Sequence, residues 1–175
     1  MSSSFSFRGG QFVIGSSGED FIVTGSGNDI VVALSGDDTI VTGDGHDLIL
    51  GGSGDDSIDS GAGGDTVFGG NGSDTINGGE GSDFLVGGNA GDTVDGGAGH
   101  DLIKGGHGDD LLIGGSGEDL ILGGYGHDTA CFSGSVRDYR IHQFCSHGLY
   151  VLNTLTGEKD ILFSVETLKF DDVEI

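Results

Sequence analysis

The chain has 175 residues, 39 of them Gly and none Pro, and its 29 acidic against 6 basic side chains leave a net charge of −23. That length fits one ordinary domain with at most a small appendage, and the charge argues against nucleic acid or an anionic membrane surface as a partner. The imbalance is concentrated, since residues 15–131 hold 22 acids and one base, Lys104, whereas residues 132–175 hold seven acids and four bases.

Residues 1–14 alternate Ser and Phe (Ser4, Phe5, Ser6, Phe7) and run into Phe12-Val13-Ile14, which reads as an entry strand capping the rest of the chain. A basic segment followed by an apolar one is absent, so no Sec-type signal is expected. No apolar run reaches membrane-spanning length, so no transmembrane segment is expected either.

From Gly15 to Cys131 the chain repeats every nine residues. Asp20, Asp29, Asp38, Asp47, Asp56, Asp65, Asp74, Asp83, Asp92, Asp101, Asp110, Asp119 and Asp128 form one unbroken column. Two residues after each stands an aliphatic, from Ile22 through Ile76 to Ile121, ending in Ala130. Two residues before each stands Gly, with Ala90 the one exception. A Gly-rich linker has no reason to keep such columns in phase. Each unit supplies one aliphatic, and only stacked neighbours can join these into a core.

Within a unit such as Gly105-Gly-His-Gly-Asp-Asp110-Leu-Leu-Ile113, the first six residues read as a turn and the last three as a short strand. Glycines at the first, second and fourth places permit positive φ and tight curvature, which aims carbonyl oxygens inward. The Asp at the sixth place adds a carboxylate. A bay of carbonyl and carboxylate oxygens suits calcium, whereas magnesium demands stricter geometry and transition metals prefer His or Cys.

A strand of period 2 places the aliphatic inside and its neighbours outside. Two units then complete an 18-residue coil, and stacked coils make an all-β fold, a parallel β-roll with odd repeats in one sheet and even repeats in the other. Asp residues 18 apart would lie about 4.8 Å from each other on adjacent coils. At an effective dielectric near 20, each like-charged pair repels by roughly 3–4 kcal/mol. Summed along two columns, this exceeds a domain's usual margin of about 5–15 kcal/mol, so the roll is expected to need cations. One calcium per gap gives up to about eleven ions, and binding and folding become one event.

The pattern G-G-x-G-x-D-x-U-x over residues 15–131 resembles the calcium-binding nonapeptide of RTX (repeats-in-toxin, hemolysin-type) proteins. That resemblance implies a right-handed parallel β-roll, calcium held by turn carbonyls and the column Asp, and export by type I secretion into an extracellular setting. It also implies a chain that stays unfolded until it meets external calcium.

Not every turn matches equally. Thr24, Ala33, Thr42 and Ser60 replace the first glycine, Leu34 a second one, Ser16 weakens the first turn, and Ala90 should strain its turn if φ is positive. The turns at residues 51–56 and from Gly96 to Asp128 match best. The outward positions differ between sheets: even repeats carry Ile30, Leu48, Leu50, Phe68, Phe84 and Leu120, while odd repeats carry Thr39, Ser57, Asp59, Thr75 and Asp95 through their middle. Such an apolar face marks a contact surface. It is expected to be covered by the terminal segments, a second copy or a neighbouring domain.

Residues 132–175 read as a small C-terminal β segment that caps the roll, with strands at 139–144, 149–153, 160–163 and 167–170. The stretches Phe132–Tyr139 and Val165–Asp172 are similar to the segment that follows such rolls in serralysin-like secreted proteases. Two cysteines, Cys131 and Cys145, are too few for a disulfide framework and lack zinc spacing; a bridge and free thiols stay equally open.

His46, His100 and His127 each precede a column Asp, and His107 lies in a turn; solvent-facing polar positions explain them better than catalysis does. No H-E-x-x-H, G-x-S-x-G or P-loop motif is present, so no enzyme is expected. The expected function is a calcium-dependent folding module of a secreted bacterial protein. The alternatives are the C-terminal part of a secreted protease, lipase or polysaccharide-modifying enzyme, or a surface adhesin or ice-binding roll.

Overall fold

The computed structural model describes residues 7–175; the expected alternation of Ser and Phe at residues 4–6 lies outside them. Two parallel sheets face each other. The nine-stranded sheet contains β1 (Phe7–Arg8), β3 (Phe21–Ser26), β5 (Thr39–Asp44), β7 (Ser57–Asp59), β9 (Thr75–Glu80), β11 (Thr93–Ala98), β13 (Leu111–Ile113), β15 (Thr129–Cys131) and β19 (Thr167–Lys169), in that spatial order. The ten-stranded sheet runs from β2 (Phe12–Ile14) through β4 (Ile30–Ser35), β6 (Leu48–Ser53), β8 (Thr66–Asn71), β10 (Phe84–Asn89), β12 (Leu102–His107) and β14 (Leu120–Tyr125) to β18 (Lys159–Phe163), and closes with β17 (Gly148–Asn153) and β16 (Tyr139–Cys145). Odd and even repeats segregate as the two-unit coil requires, and the fold is the expected parallel β-roll.

Through the repeats the register is uniform at 18 residues. Leu85 faces Ile103 and Val67, and Val94 faces Leu112 and Ile76. The aliphatic column from Ile22 to Ala130 is buried as a single core, extended at the C-terminal end by Val151, Leu162, Leu168 and Phe170. Most repeat strands span six residues rather than three, because the first three turn positions stay in the ladder, with Gly88 paired to Gly106 and Asn89 to His107. The first turn position therefore also points inward. Thr24, Ala33, Thr42 and Ser60 are fully buried there.

The C-terminal segment enters the ten-stranded sheet at its edge. Strand β18 pairs in parallel with β14, Ile161 opposite Leu120, and the antiparallel β16–β17 hairpin continues outward from it. Strand β19 adds to the other sheet beside β15. Backbone pairing satisfies the open edges of β14 and β15. Among the described residues, neither terminal segment is laid across the apolar face, contrary to one of the expectations for it, and Ile30 and Phe68 remain exposed there. No helix of the described residues is long and apolar enough to cross a membrane. Cys131 and Cys145 are both free thiols.

Candidate calcium gaps

The turns stack into two edges. Asp20, Asp38, Asp56, Asp74, Asp92, Asp110 and Asp128 lie on one, and Asp29, Asp47, Asp65, Asp83, Asp101 and Asp119 on the other. From Asp38 on one edge and Asp47 on the other, Oδ1 of each Asp accepts the backbone N–H of the Asp one coil earlier, as from Asp56 to Asp74 at 2.9 Å and from Asp65 to Asp83 at 2.8 Å. The carboxylates thus act as rungs, and all but Asp20 are buried.

Their second oxygens are different. Oδ2 of twelve column Asp, from Asp29 to Asp128, is buried with no protein partner. An unpaired buried oxygen costs on the order of 1–3 kcal/mol, and more when charged. Only Asp20 escapes, its Oδ2 accepting the N–H and hydroxyl of Ser16 at 2.6 and 3.0 Å. Burial pushes Asp56, Asp65, Asp74, Asp101 and Asp128 up to about 6 and Asp92 up to about 7, with the backbone N–H bond opposing it. Repulsion from the column neighbour adds to the rise, as from Asp56 at Asp74.

Beside eight of the twelve orphan oxygens the first place of the turn is a glycine, which leaves a cradle that a Cβ would fill. A Cβ on Gly51 would stand 2.5 Å from Asp56 Oδ2 and 2.6 Å from the Gly69 carbonyl oxygen of the next coil. Gly69, Gly78, Gly96 and Gly105 face the same pair of walls, an Asp Oδ2 and the carbonyl of Gly87, Gly96, Gly114 or Gly123. No three His, Cys, Asp or Glu side chains converge among the described residues, so a cation here takes carboxylate and carbonyl oxygens together. That oxygen-only donor set, with an unmet acceptor in every gap, fits calcium.

At the N-terminal end of one edge the cradle is filled. Thr24, Thr42 and Ser60 occupy the first turn place on successive coils, and their hydroxyls donate to the carbonyls of Thr42, Ser60 and Gly78 at 3.1, 2.9 and 2.9 Å. Below them the Gln11 side-chain amide donates to the Thr24 carbonyl at 2.8 Å. Protein donors thus take the oxygens that face open space farther along, and the fit to calcium is poorer in these gaps. On the opposite edge Ala33 puts a methyl in the same place.

The fifth turn place forms an outer ladder, where the sequence alone marks only exposed polar positions. His46 Nδ1 accepts the Gly64 N–H at 2.7 Å, His100 Nδ1 that of Glu118 at 3.0 Å, and Asp55 Oδ1 that of Ser73 at 2.7 Å. These histidines serve as acceptors through one ring nitrogen. Three further residues join the columns without having been expected there. Gln11 takes the column role upstream, its N–H donating to Asp29 Oδ1 at 2.7 Å. Downstream, Asp160 Oδ1 takes the N–H of Asp119 at 3.0 Å and Glu166 Oε2 that of Asp128 at 2.9 Å. Gln11 lies nine residues before Asp20, in phase with the column, whereas Asp160-x-Leu162 and Glu166-x-Leu168 repeat only the carboxylate-x-aliphatic part of the signal, out of phase with it.

Six overlapping segments, residues 7–40, 32–67, 60–94, 68–103, 86–121 and 95–130, match the family model for the RTX calcium-binding nonapeptide repeat (4 copies). The chain belongs to the RTX calcium-binding repeat family. Among curated proteins nothing matches it. RTX nonapeptide repeats bind calcium, and the orphan Oδ2 atoms and glycine cradles are the unmet oxygens and open spaces that these repeats present.

Proposed function

We propose that the protein is a calcium-dependent folding module of a secreted bacterial protein, exported unfolded by type I secretion and folded by external calcium. The column Asp supply the side-chain ligands. The observation that carries this reading is the buried, unpartnered Oδ2 repeated through twelve Asp: a protein that folded without cations would not keep so many acceptors unmet. Between the repeats, five gaps show an orphan Oδ2 together with a facing carbonyl, led by Gly51, Gly69, Gly78, Gly96 and Gly105. Ions in these five bring about ten positive charges against −23, so fewer than eleven ions carry the folding. We assign no catalytic centre to the chain.

Counting bound calcium per chain after equilibrium dialysis tests this reading. Five or more ions are expected; one or two would overturn the assignment of the gaps. A second reading, a module covering or joined to a catalytic domain or to a second copy, draws on the apolar outer face with Ile30 and Phe68 exposed. Sedimentation in calcium addresses the second copy: concentration-dependent dimers support it, and a monomer at all concentrations removes it.

A further inference from the structure

The last coil lacks the repeat motif, yet on one edge it rebuilds the walls of a gap. Leu162 and Leu168 sit in the core where repeat aliphatics would sit, and Thr167 pairs with Thr129. Glu166 Oε2 accepts the Asp128 N–H at 2.9 Å, as Asp128 Oδ1 accepts that of Asp110 at 3.0 Å. The N–H groups of Glu166 and Thr167 both reach the Asp128 carbonyl at 3.1 Å, which holds the segment in register.

Asp128 is fully buried, and its Oδ2 has no protein partner. A Cβ on Gly123 would run into that Oδ2 and into the carbonyl oxygen of Ser164. These are the walls seen inside the repeats, with Ser164 in place of the next glycine. On the other edge Asp160 Oδ1 accepts the Asp119 N–H at 3.0 Å, and the three atoms nearest a Cβ on Gly114 all belong to Asp119.

We propose that Asp128, the Ser164 carbonyl and Glu166 form a further calcium site that fastens the C-terminal segment to the roll with ligands from outside the nonapeptides. Two carboxylates and a carbonyl are hard oxygen donors of the kind calcium takes. The site rests on the reading of the gaps as calcium sites. Its consequence is that the ion that completes the roll also orders residues 164–169, so the tail folds with the roll and not before it.

Calcium bound per chain, counted by metal analysis at a free calcium that just saturates the parent, tests the site in the full chain. Glu166→Gln keeps an oxygen for the Asp128 N–H but removes the charge, and one ion fewer than the parent is expected. Gly123→Ala fills the cradle while leaving both carboxylates in the chain, at the first turn place where Ala33 is accommodated on another coil, and should also lose one ion. Asp74→Asn, inside the repeats, should lose one as well. If Asp74→Asn loses its ion while both terminal variants keep the parent count, the terminal site is overturned and the repeat gaps stand. If no variant changes the count, the reading of the gaps falls and takes the terminal site with it. Should Glu166→Gln not fold, the count on Gly123→Ala decides alone.

Discussion

Leu34 and Ala90 hold backbone angles that suit glycine, with φ of 86° and 78°. They stand at the second and fourth turn places, where other repeats carry glycine in the same region. A side chain in that region costs on the order of 1–3 kcal/mol, partly offset by the unfolded freedom glycine would add. Leu34→Gly and Ala90→Gly should each raise stability in saturating calcium by about 1 kcal/mol, read from urea midpoints; a lower midpoint would contradict the strain. The column carboxylates set a second expectation. Burial lifts Asp56, Asp74, Asp101 and Asp128 from 3.8 to about 6 in the metal-free roll, so protons bind the folded chain more tightly than the unfolded one. That stabilisation is complete below about pH 4 and is lost as pH rises through about 6. Without calcium, the chain should therefore gain β-structure by circular dichroism between pH 7 and 4.5, and no gain over that range would show that the carboxylates are not the obstacle.

Among the elements, the first turn place separates the early coils from the later ones. Thr24, Thr42 and Ser60 bridge their gaps with hydroxyls, whereas Gly78 and Gly96 leave theirs open. Thr42→Gly should open one more gap and raise the bound calcium by one ion, while Thr42→Val, which keeps the volume and loses the donor, should leave the count unchanged and lower stability by about 1 kcal/mol. An unchanged count in Thr42→Gly would mean that the hydroxyl does not stand in for an ion. The same coils show how far the sequence could be read. The Asp and aliphatic columns were legible because a nine-residue period fixes which side chain faces inward on every coil. Read alone, Thr24 and Ser60 were defects; only stacking shows that they reach the carbonyl 18 residues on. Asp160 and Glu166 escaped because the β16–β17 hairpin puts them 41 and 38 residues from their partners, so no fixed period leads to them. Strand length was underestimated since glycine carries no side-chain sign that its backbone stays in the ladder.

At the scale of the molecule, two buried columns of carboxylates line a thin core of one aliphatic per repeat. The terminal strands lengthen the ten-stranded sheet and leave its outer face for a partner to cover or for solvent. On the proposed reading, repulsion of roughly 3–4 kcal/mol at each stacked pair at an effective dielectric near 20 is relieved by the ions, and fold and ions are expected to form together. The most direct measurement is far-ultraviolet circular dichroism of the full chain at pH 7.5, titrated with calcium and then with a chelator. The spectrum should begin without β-structure, turn β-rich in one steep transition as the gaps fill, and return on chelation. A β-rich spectrum before any calcium is added, unmoved by the chelator, would contradict the account.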